Sequence, residues 1–188
     1  MSNGTALLVI DVQNAIIDGE DPAYRPAETL AVIRGLIEQA RAAKTPVIYV
    51  QHEDTDYALM KAGADGWQIH PAVAPLPGER IVQKRACDSF YGTPLRSELD
   101  ALGITHLVVA GMQTDYCVDT ACRRALSLDY DVTLVADAHT TFDTEFLTAA
   151  QIIAHHNATL AGIPHPTRVI VVKPANEIVF EVTKSAAA

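Results

Sequence analysis

Residues 107–118 read LVVAGMQTDYCV, and this stretch decides the fold because it runs from a buried strand into the start of a helix. The apolar run at 107–110 is typical of a strand, and Thr114 is a residue type that caps helices with its hydroxyl. With Thr114 as the cap, Asp115 would be the first helical residue and Cys117 would lie in the first turn. Partial positive charge and unpaired N–H groups there favour a thiolate and can hold an oxyanion, so Cys117 is a candidate nucleophile. The alternative role for a free cysteine is that of a small buried hydrophobe.

Working outward, apolar runs alternate with segments of helical periodicity along the chain. Strands that alternate with helices form right-handed crossovers, and hence a mostly parallel sheet with helices on both faces. The pattern predicts an α/β fold, a Rossmann-like three-layer sandwich with a six-stranded, mostly parallel sheet. The predicted strands span residues 6–10, 47–50, 80–83, 106–110, 132–136 and 168–172, and the predicted helices span 27–43, 94–102, 117–128 and 146–156.

The composition is that of an ordinary globular protein. Hydrophobic residues make up 49% of the 188 residues and charged residues 20%, which suits a single domain over residues 1–188 with a full hydrophobic core. The formal net charge of -9 disfavours nucleic acid as a partner. We also expect a cytoplasmic protein with no membrane partner, because the chain shows no charged-then-apolar leader and no apolar run of membrane-spanning length.

Three reactive side chains follow predicted strands: Asp11 after the first, Lys84 after the third and Cys117 after the fourth. Because the carboxyl ends of parallel strands share one edge of the sheet, these groups can meet in the crevice where such sheets bind ligands. Asp11 could take the thiol proton and later pass it to a leaving amine, while Lys84 could hold the thiolate and keep Asp11 ionised. Taken singly, an Asp at a strand end is more often a turn residue and a Lys there is more often solvated surface. The prediction of a catalytic site therefore depends on the three occurring together.

Residues 52–79 interrupt the alternation of strands and helices. They are rich in Gly, Pro, Asp and His, and they offer one short helical candidate around residues 57–61. A long irregular segment inside a compact domain is usually functional, so we expect a lid or part of an oligomer contact here.

The motifs at residues 10–14 (IDVQN), 83–85 (QKR), 89–93 (SFYGT) and 111–118 together resemble the isochorismatase-like cysteine hydrolases. This superfamily includes nicotinamidases, N-carbamoylsarcosine amidases, isochorismatases and streptothricin hydrolases, and the later segments 135–139 and 152–157 look closest to the last of these. The resemblance implies a catalytic triad of Asp11, Lys84 and Cys117. It also implies a cis peptide before Gln113 and an oxyanion hole made by the N–H groups of Gln113 and Cys117. As in relatives, a homo-oligomer, either a dimer or a tetramer, is expected.

Further side chains are candidates for contact with a small-molecule substrate. His52 ends the second strand, although a capped turn is the alternative role, and Trp67 could wall a pocket or simply pack the 52–79 segment onto the body. The predicted substrate-binding set is Gln13, His52, Trp67, Phe90, Tyr91 and Tyr116.

Neither a metal nor a nucleotide cofactor is predicted. The resemblance places the metal site of nicotinamidases on an Asp-x-His after the second strand, but residues 51–54 here read QHED. The cysteines show no metal-binding spacing, their odd number argues against a disulfide framework, and no G-x-G-x-x-G or P-loop occurs.

The predicted activity is therefore a metal-independent cysteine amidohydrolase. It would cleave a C–N bond of a small amide, lactam or carbamoyl compound through a thioester on Cys117. An isochorismatase-type hydrolase cleaving a vinyl ether is one alternative, although that reaction needs acid catalysis and no nucleophilic thiol. A non-catalytic protein that keeps the fold is another, and the presence of all three triad residues argues against it.

Overall fold

The computed structural model describes residues 4–181, in which six parallel strands form one sheet in the order β3-β2-β1-β4-β5-β6. The α/β prediction is confirmed, with every strand pair parallel where mostly parallel was expected. The strands are β1 (Gly4–Ile10), β2 (Val47–His52), β3 (Arg80–Lys84), β4 (Ile104–Met112), β5 (Asp131–Thr140) and β6 (Ile170–Lys173). The α-helices are α1 (Asn14–Ile17), α2 (Pro26–Ala42), α3 (Leu95–Ala101), α4 (Asp119–Ser127) and α5 (Ala149–Ala161).

The order of the strands reverses between β1 and β4. From β1 the chain builds outward through β2 and β3, and then returns to place β4 on the other side of β1. Ile10, the last residue of β1, pairs with Val50 on one side and with Gly111 on the other. Such a reversal leaves a crevice beyond the strand ends, which is where doubly wound sheets bind ligands.

The central strand is buried on both faces because each face packs against helices. Leu7 and Val9 point into a core that includes Ile33, Leu36 and Ile37 of α2. The alternate residues Leu8 and Ile10 point into a second core, built largely from β-strand side chains together with α3 and α4. A period of two along a strand sends successive side chains to opposite faces, so an unbroken apolar run is the expected pattern for β1. The three-layer arrangement predicted from the sequence is confirmed.

The start of the helix after β4 differs from its prediction. A π-helical turn, Thr114–Val118, precedes α4, and Gln113 occupies the capping position without a side-chain cap. Thr114 does not cap, because its hydroxyl is completely buried and lies 2.8 Å from Nδ1 of His139 instead. Burial against β5 thus outweighs the local preference of threonine for a cap.

The last helix also begins later than predicted. Thr148 and Gln151 form a reciprocal capping box, and the Ala149 N–H donates to Asp143. These contacts satisfy the first N–H groups of α5, so Phe146 lies outside the helix and is 84% exposed.

Residues 52–79 remain largely irregular, with a 3₁₀ turn at Ala58–Met60, inside the predicted helical candidate, and another at Pro71–Val73. An isolated antiparallel bridge between Gln13 and Ile69 holds the segment beside the end of β1. Within residues 4–181, no helix combines the length and hydropathy needed to cross a membrane.

Candidate active site

The side chains of Asp11, Lys84 and Cys117 meet beyond the carboxyl ends of β1, β3 and β4. The Nζ atom of Lys84 lies 2.8 Å from Oδ2 of Asp11 and 3.0 Å from Sγ of Cys117. The side chains of the ion pair are 2% exposed or less, and Cys117 is 8% exposed. The crevice between β1 and β4 therefore brings the three predicted groups into one buried cluster.

Asp11 is held in an unusual backbone conformation directly after β1. Its φ is 52°, in the left-handed region, and its N–H donates to the carbonyl of Val50. Apart from the close approach of Lys84, neither carboxylate oxygen accepts a hydrogen bond from residues 4–181. A buried carboxylate with free acceptor capacity is suited to receiving a proton from a neighbouring thiol.

The electrostatics of Cys117 differ from the sequence expectation of a thiolate at rest. Burial and the Asp11 charge raise the pKa of the thiol, and the opposing effect of Lys84 does not reverse that direction. Asp11 and Lys84 form an ion pair whose charges largely cancel at the sulfur, so desolvation decides. The raised pKa favours the protonated thiol in the free protein.

Lys84 keeps its positive charge although it is buried. Burial lowers its pKa, but the Asp11 carboxylate raises it, and the net shift is upward. The ammonium also donates to the carbonyl of Ala86 and lies 3.3 Å from Nδ1 of His52. Burial and the Lys84 charge lower the pKa of His52, which favours the neutral imidazole.

The backbone before the nucleophile adopts the geometry that the resemblance implies. The peptide bond between Met112 and Gln113 is cis, as expected. The π-helical turn that follows is anchored at two points: Thr114 contacts His139 of β5, and the hydroxyl of Thr141, directly after β5, donates to Asp115.

A cavity of about 450 Å³ opens onto Cys117. Its wall includes the oxyanion-hole candidates Gln113 and Cys117 together with His52 and Tyr116, two of the predicted substrate contacts. Further residues of the wall escaped the sequence analysis, and most come from segments without a motif. They are Ala15, Ile16, Asp21, Asp54, Tyr57, Met60, Cys87 and Phe142. The irregular composition of residues 52–79 was a signal for Asp54, Tyr57 and Met60.

Other predicted substrate contacts lie away from this wall and need correction. The buried Gln13 amide exchanges hydrogen bonds with the backbone of His52 and donates to the carbonyl of Trp67, so it joins chain segments. Trp67 is half-buried outside the wall, which fits packing of residues 52–79 onto the body.

The two aromatic residues after Lys84 also lie outside the wall. Phe90 is buried in the core and stacks on Tyr130, with ring centroids 6.1 Å apart. Tyr91 is 73% exposed and lines a neighbouring cavity of about 440 Å³.

Metal ligands do not converge in the part of the chain that the structure describes: residues 4–181 contain no group of three or more His, Cys, Asp or Glu side chains that could hold an ion. The three cysteines are free. Cys87 is exposed, and Cys117 and Cys122 are buried.

Comparison with known proteins identifies the family. The model of the isochorismatase domain matches residues 5–161. The chain belongs to the isochorismatase family. Family membership confirms both the resemblance stated from the motifs and the hydrolase class.

Among individual family members, a streptothricin hydrolase of Streptomyces noursei is 39% identical over 138 residues, covering 73% of this chain and 50% of its own length. The chain thus spans about half the length of the streptothricin hydrolases that it matches. An isochorismatase structure from Pseudomonas putida KT2440 is 31% identical with a TM-score of 0.85, covering 93% and 90% of the two chains. The N-carbamoylsarcosine amidase of Thermoplasma acidophilum is 27% identical with a TM-score of 0.76, covering 93% and 98%.

Proposed function

We propose that this isochorismatase-family protein is a cysteine amidohydrolase that cleaves a C–N bond of a small amide, lactam or carbamoyl compound. The observation that carries the proposal is the contact of one buried ammonium with both a carboxylate and a thiol, at 2.8 Å and 3.0 Å. The likeness to a streptothricin hydrolase and to an N-carbamoylsarcosine amidase supports C–N cleavage. No metal is required in the proposed reaction.

In the proposed acylation step, Asp11 accepts the thiol proton while Sγ of Cys117 attacks the carbonyl carbon. Lys84 remains an ammonium and stabilises the charge that develops on sulfur. The N–H groups of Gln113 and Cys117 hold the oxyanion of the tetrahedral intermediate. Its collapse breaks the C–N bond, and the amine or ammonia leaves with the proton from Asp11.

The deacylation step repeats the proton transfers with water as the nucleophile. Asp11 takes a proton from water, which attacks the thioester carbon, and the bond to Sγ breaks. The thiol recovers its proton from Asp11, and the acid product leaves. The raised pKa of Cys117 suits this cycle, because the proton returns to sulfur at the end of each turnover.

The test is a mass-spectrometric screen of small amides, ureas and lactams for covalent labelling and turnover. We expect an acyl adduct on Cys117 with slow substrates, and a loss of turnover of at least about 10⁴-fold in both Cys117→Ala and Asp11→Asn. Cys122→Ala is the matched control, since Cys122 is a fully buried thiol on the next helix and should leave turnover intact.

Two results would contradict the proposal that this protein is a cysteine amidohydrolase. Full activity in Cys117→Ala would remove the nucleophile from the mechanism. Release of pyruvate from isochorismate that is insensitive to thiol alkylation would instead favour vinyl ether cleavage.

A further inference from the structure

The wall of the cavity carries an excess of negative charge. Asp11, Asp21 and Asp54 line it, and no Lys or Arg among residues 4–181 does so. Asp11 is balanced by Lys84 behind the wall, at 2.8 Å. The net excess therefore comes from Asp21 and Asp54, neither of which forms an ion pair within the described residues.

Asp54 is better placed than Asp21 to bind a charged group in the cavity. It is half-buried, and its Oδ1 atom accepts from the N–H groups of Asp56 and Tyr57 at 2.8 Å and 3.2 Å. These bonds fix the side chain and leave its Oδ2 atom available. Nearby His52 adds no compensating positive charge, because its environment favours the neutral ring.

Aromatic side chains complete the same wall. Tyr57, Tyr116 and Phe142 line the cavity beside the carboxylates. Aromatic faces attract organic cations, and a cation placed between a carboxylate and a ring gains from both. A metal ion is a poorer fit, because it needs several converging ligands and residues 4–181 provide no such group.

We infer that the cavity selects substrates that carry a positively charged organic group, such as an ammonium or guanidinium, at a distance from the scissile carbonyl. Asp54 and Asp21 bind that group, and the aromatic side chains surround its apolar part. The inference rests on the proposed function for the reaction, but the charge selection is a property of the cavity itself. Neutral and anionic amides of the same size are poorer substrates.

Charge selection can be measured without turnover by labelling Cys117 with methanethiosulfonates. The probes are the ethyltrimethylammonium and ethylsulfonate reagents, whose rates are each divided by the rate with a small free thiol. The protein is Cys87→Ala, because the exposed Cys87 also lines the cavity, whereas Cys122 is fully buried. Because Cys117 is buried, its labelling is slow. Millimolar reagent and long reaction times therefore allow both labelling rates, and hence their ratio, to be measured.

We expect the normalised ratio of cationic to anionic rates to exceed about tenfold, and to fall about threefold in both Asp54→Asn and Asp21→Asn. Asparagine at position 54 keeps an oxygen acceptor for the N–H groups of Asp56 and Tyr57, so the loop is retained. Asp56→Asn is the matched control. It removes one carboxylate from the same loop, outside the cavity wall, and should change the ratio by less than about 1.5-fold.

A ratio near one, or a ratio that neither Asp54→Asn nor Asp21→Asn changes, would overturn the inference. A second measurement compares kcat/KM for a trimethylammonium amide and its neutral tert-butyl isostere. If the labelling ratio is retained but no amide is turned over, the result would contradict the proposed amidohydrolase activity. The inference of charge selection would then still stand. Efficient turnover of neutral amides with a ratio near one would contradict charge selection alone.

Discussion

At the scale of single residues, the chemistry of the site depends on how Lys84 distributes its donors. An ammonium has three N–H donors, and Asp11, Cys117 and the Ala86 carbonyl lie 2.8, 3.0 and 3.1 Å away. With Nδ1 of His52 as a fourth neighbour at 3.3 Å, all three donors are occupied, and Lys84 is absent from the wall of the cavity that opens onto Cys117. In the proposed reaction, Lys84 therefore acts on the substrate through the thiol and the carboxylate, and its raised pKa keeps the ammonium charged over the physiological pH range.

Gly111 is a second residue whose identity has a physical cause. Its φ is 130°, and a Cβ built there would lie 2.0 Å from the backbone oxygen of Ile10. A rigid strand cannot move aside, so we expect Gly111→Ala to lower the free energy of unfolding by about 3 kcal/mol or more. Urea denaturation measures the change.

Gly35→Ala provides the comparison for Gly111, because Gly35 lies within α2 and a Cβ there meets nothing within 4 Å. That substitution should raise the stability by about 0.5–1 kcal/mol. Equal effects of the two substitutions would contradict the close approach of β4 to β1.

At the scale of elements, the nucleophile turn is positioned by β5 and α5. Asn157 of α5 donates to the Ala136 carbonyl and turns its oxygen toward Nε2 of His139, 2.9 Å away. His139 therefore donates through Nε2 and accepts from the Thr114 hydroxyl through Nδ1. Burial lowers the pKa of His139 to about 4, which keeps the ring neutral and this direction of hydrogen bonding unchanged.

This chain of contacts predicts a pH-dependent stability. An unfolded histidine titrates near pH 6.5 and folded His139 near pH 4, so between these values the unfolded state binds more protons. Stability should fall as the pH decreases through that window, by on the order of 3 kcal/mol from this residue. We expect His139→Gln to flatten the dependence in urea denaturation at pH 7.5 and 4.5.

His155→Gln is the control for His139, because His155 is an exposed histidine on α5, the helix that carries Asn157. Its removal should leave the slope of stability against pH as in the wild type. An unchanged slope in His139→Gln would show that the ring is not held neutral by burial.

At the scale of the whole molecule, the cavity depends on how residues 52–79 attach to the sheet. Gln13 makes that attachment: its amide binds both backbone groups of His52 and the carbonyl of Trp67, at 2.7–3.0 Å. The Gln13 side chain is fully buried, and the Trp67 carbonyl also accepts from Nε2 of Gln51 at 3.0 Å. The loop that carries Asp54 and Tyr57 to the cavity is thus tied to the end of β1.

Removing this tie should affect stability and binding together. We expect Gln13→Ala to lower the free energy of unfolding by about 2–3 kcal/mol, because the N–H and the carbonyl of His52 both lose their side-chain partner. KM should rise more than kcat falls, since the cavity wall moves while the catalytic cluster stays in place. Denaturation and steady-state kinetics measure the two effects.

The neighbouring substitution Asn14→Ala removes an exposed hydrogen bond from Nδ2 to the Asp65 carbonyl and serves as the control. Its cost should stay below about 1 kcal/mol, with KM unchanged. Equal effects at positions 13 and 14 would contradict the special role of Gln13.

Three expectations about domain organisation, location and assembly stay predictions. They are a single domain over residues 1–188, a cytoplasmic location and assembly into a dimer or tetramer. Sedimentation at micromolar concentration tests the last of these, and a monomer there would contradict it.

The sequence by itself determined the fold class, the family and the three residues at the strand ends. A buried parallel strand needs an unbroken apolar run, and polar groups directly after such runs must lie at one edge of the sheet, so these features are local and readable. The tertiary structure alone decided the direction of the Cys117 pKa shift, the role of Thr114 and the wall of the cavity. Each of these depends on groups distant in the chain: burial and the Asp11–Lys84 pair raise the pKa of the thiol, and β5 takes the Thr114 hydroxyl from the helix cap. Asp21, Asp54 and Phe142 carry no motif, and only the path of the folded chain brings them to the nucleophile.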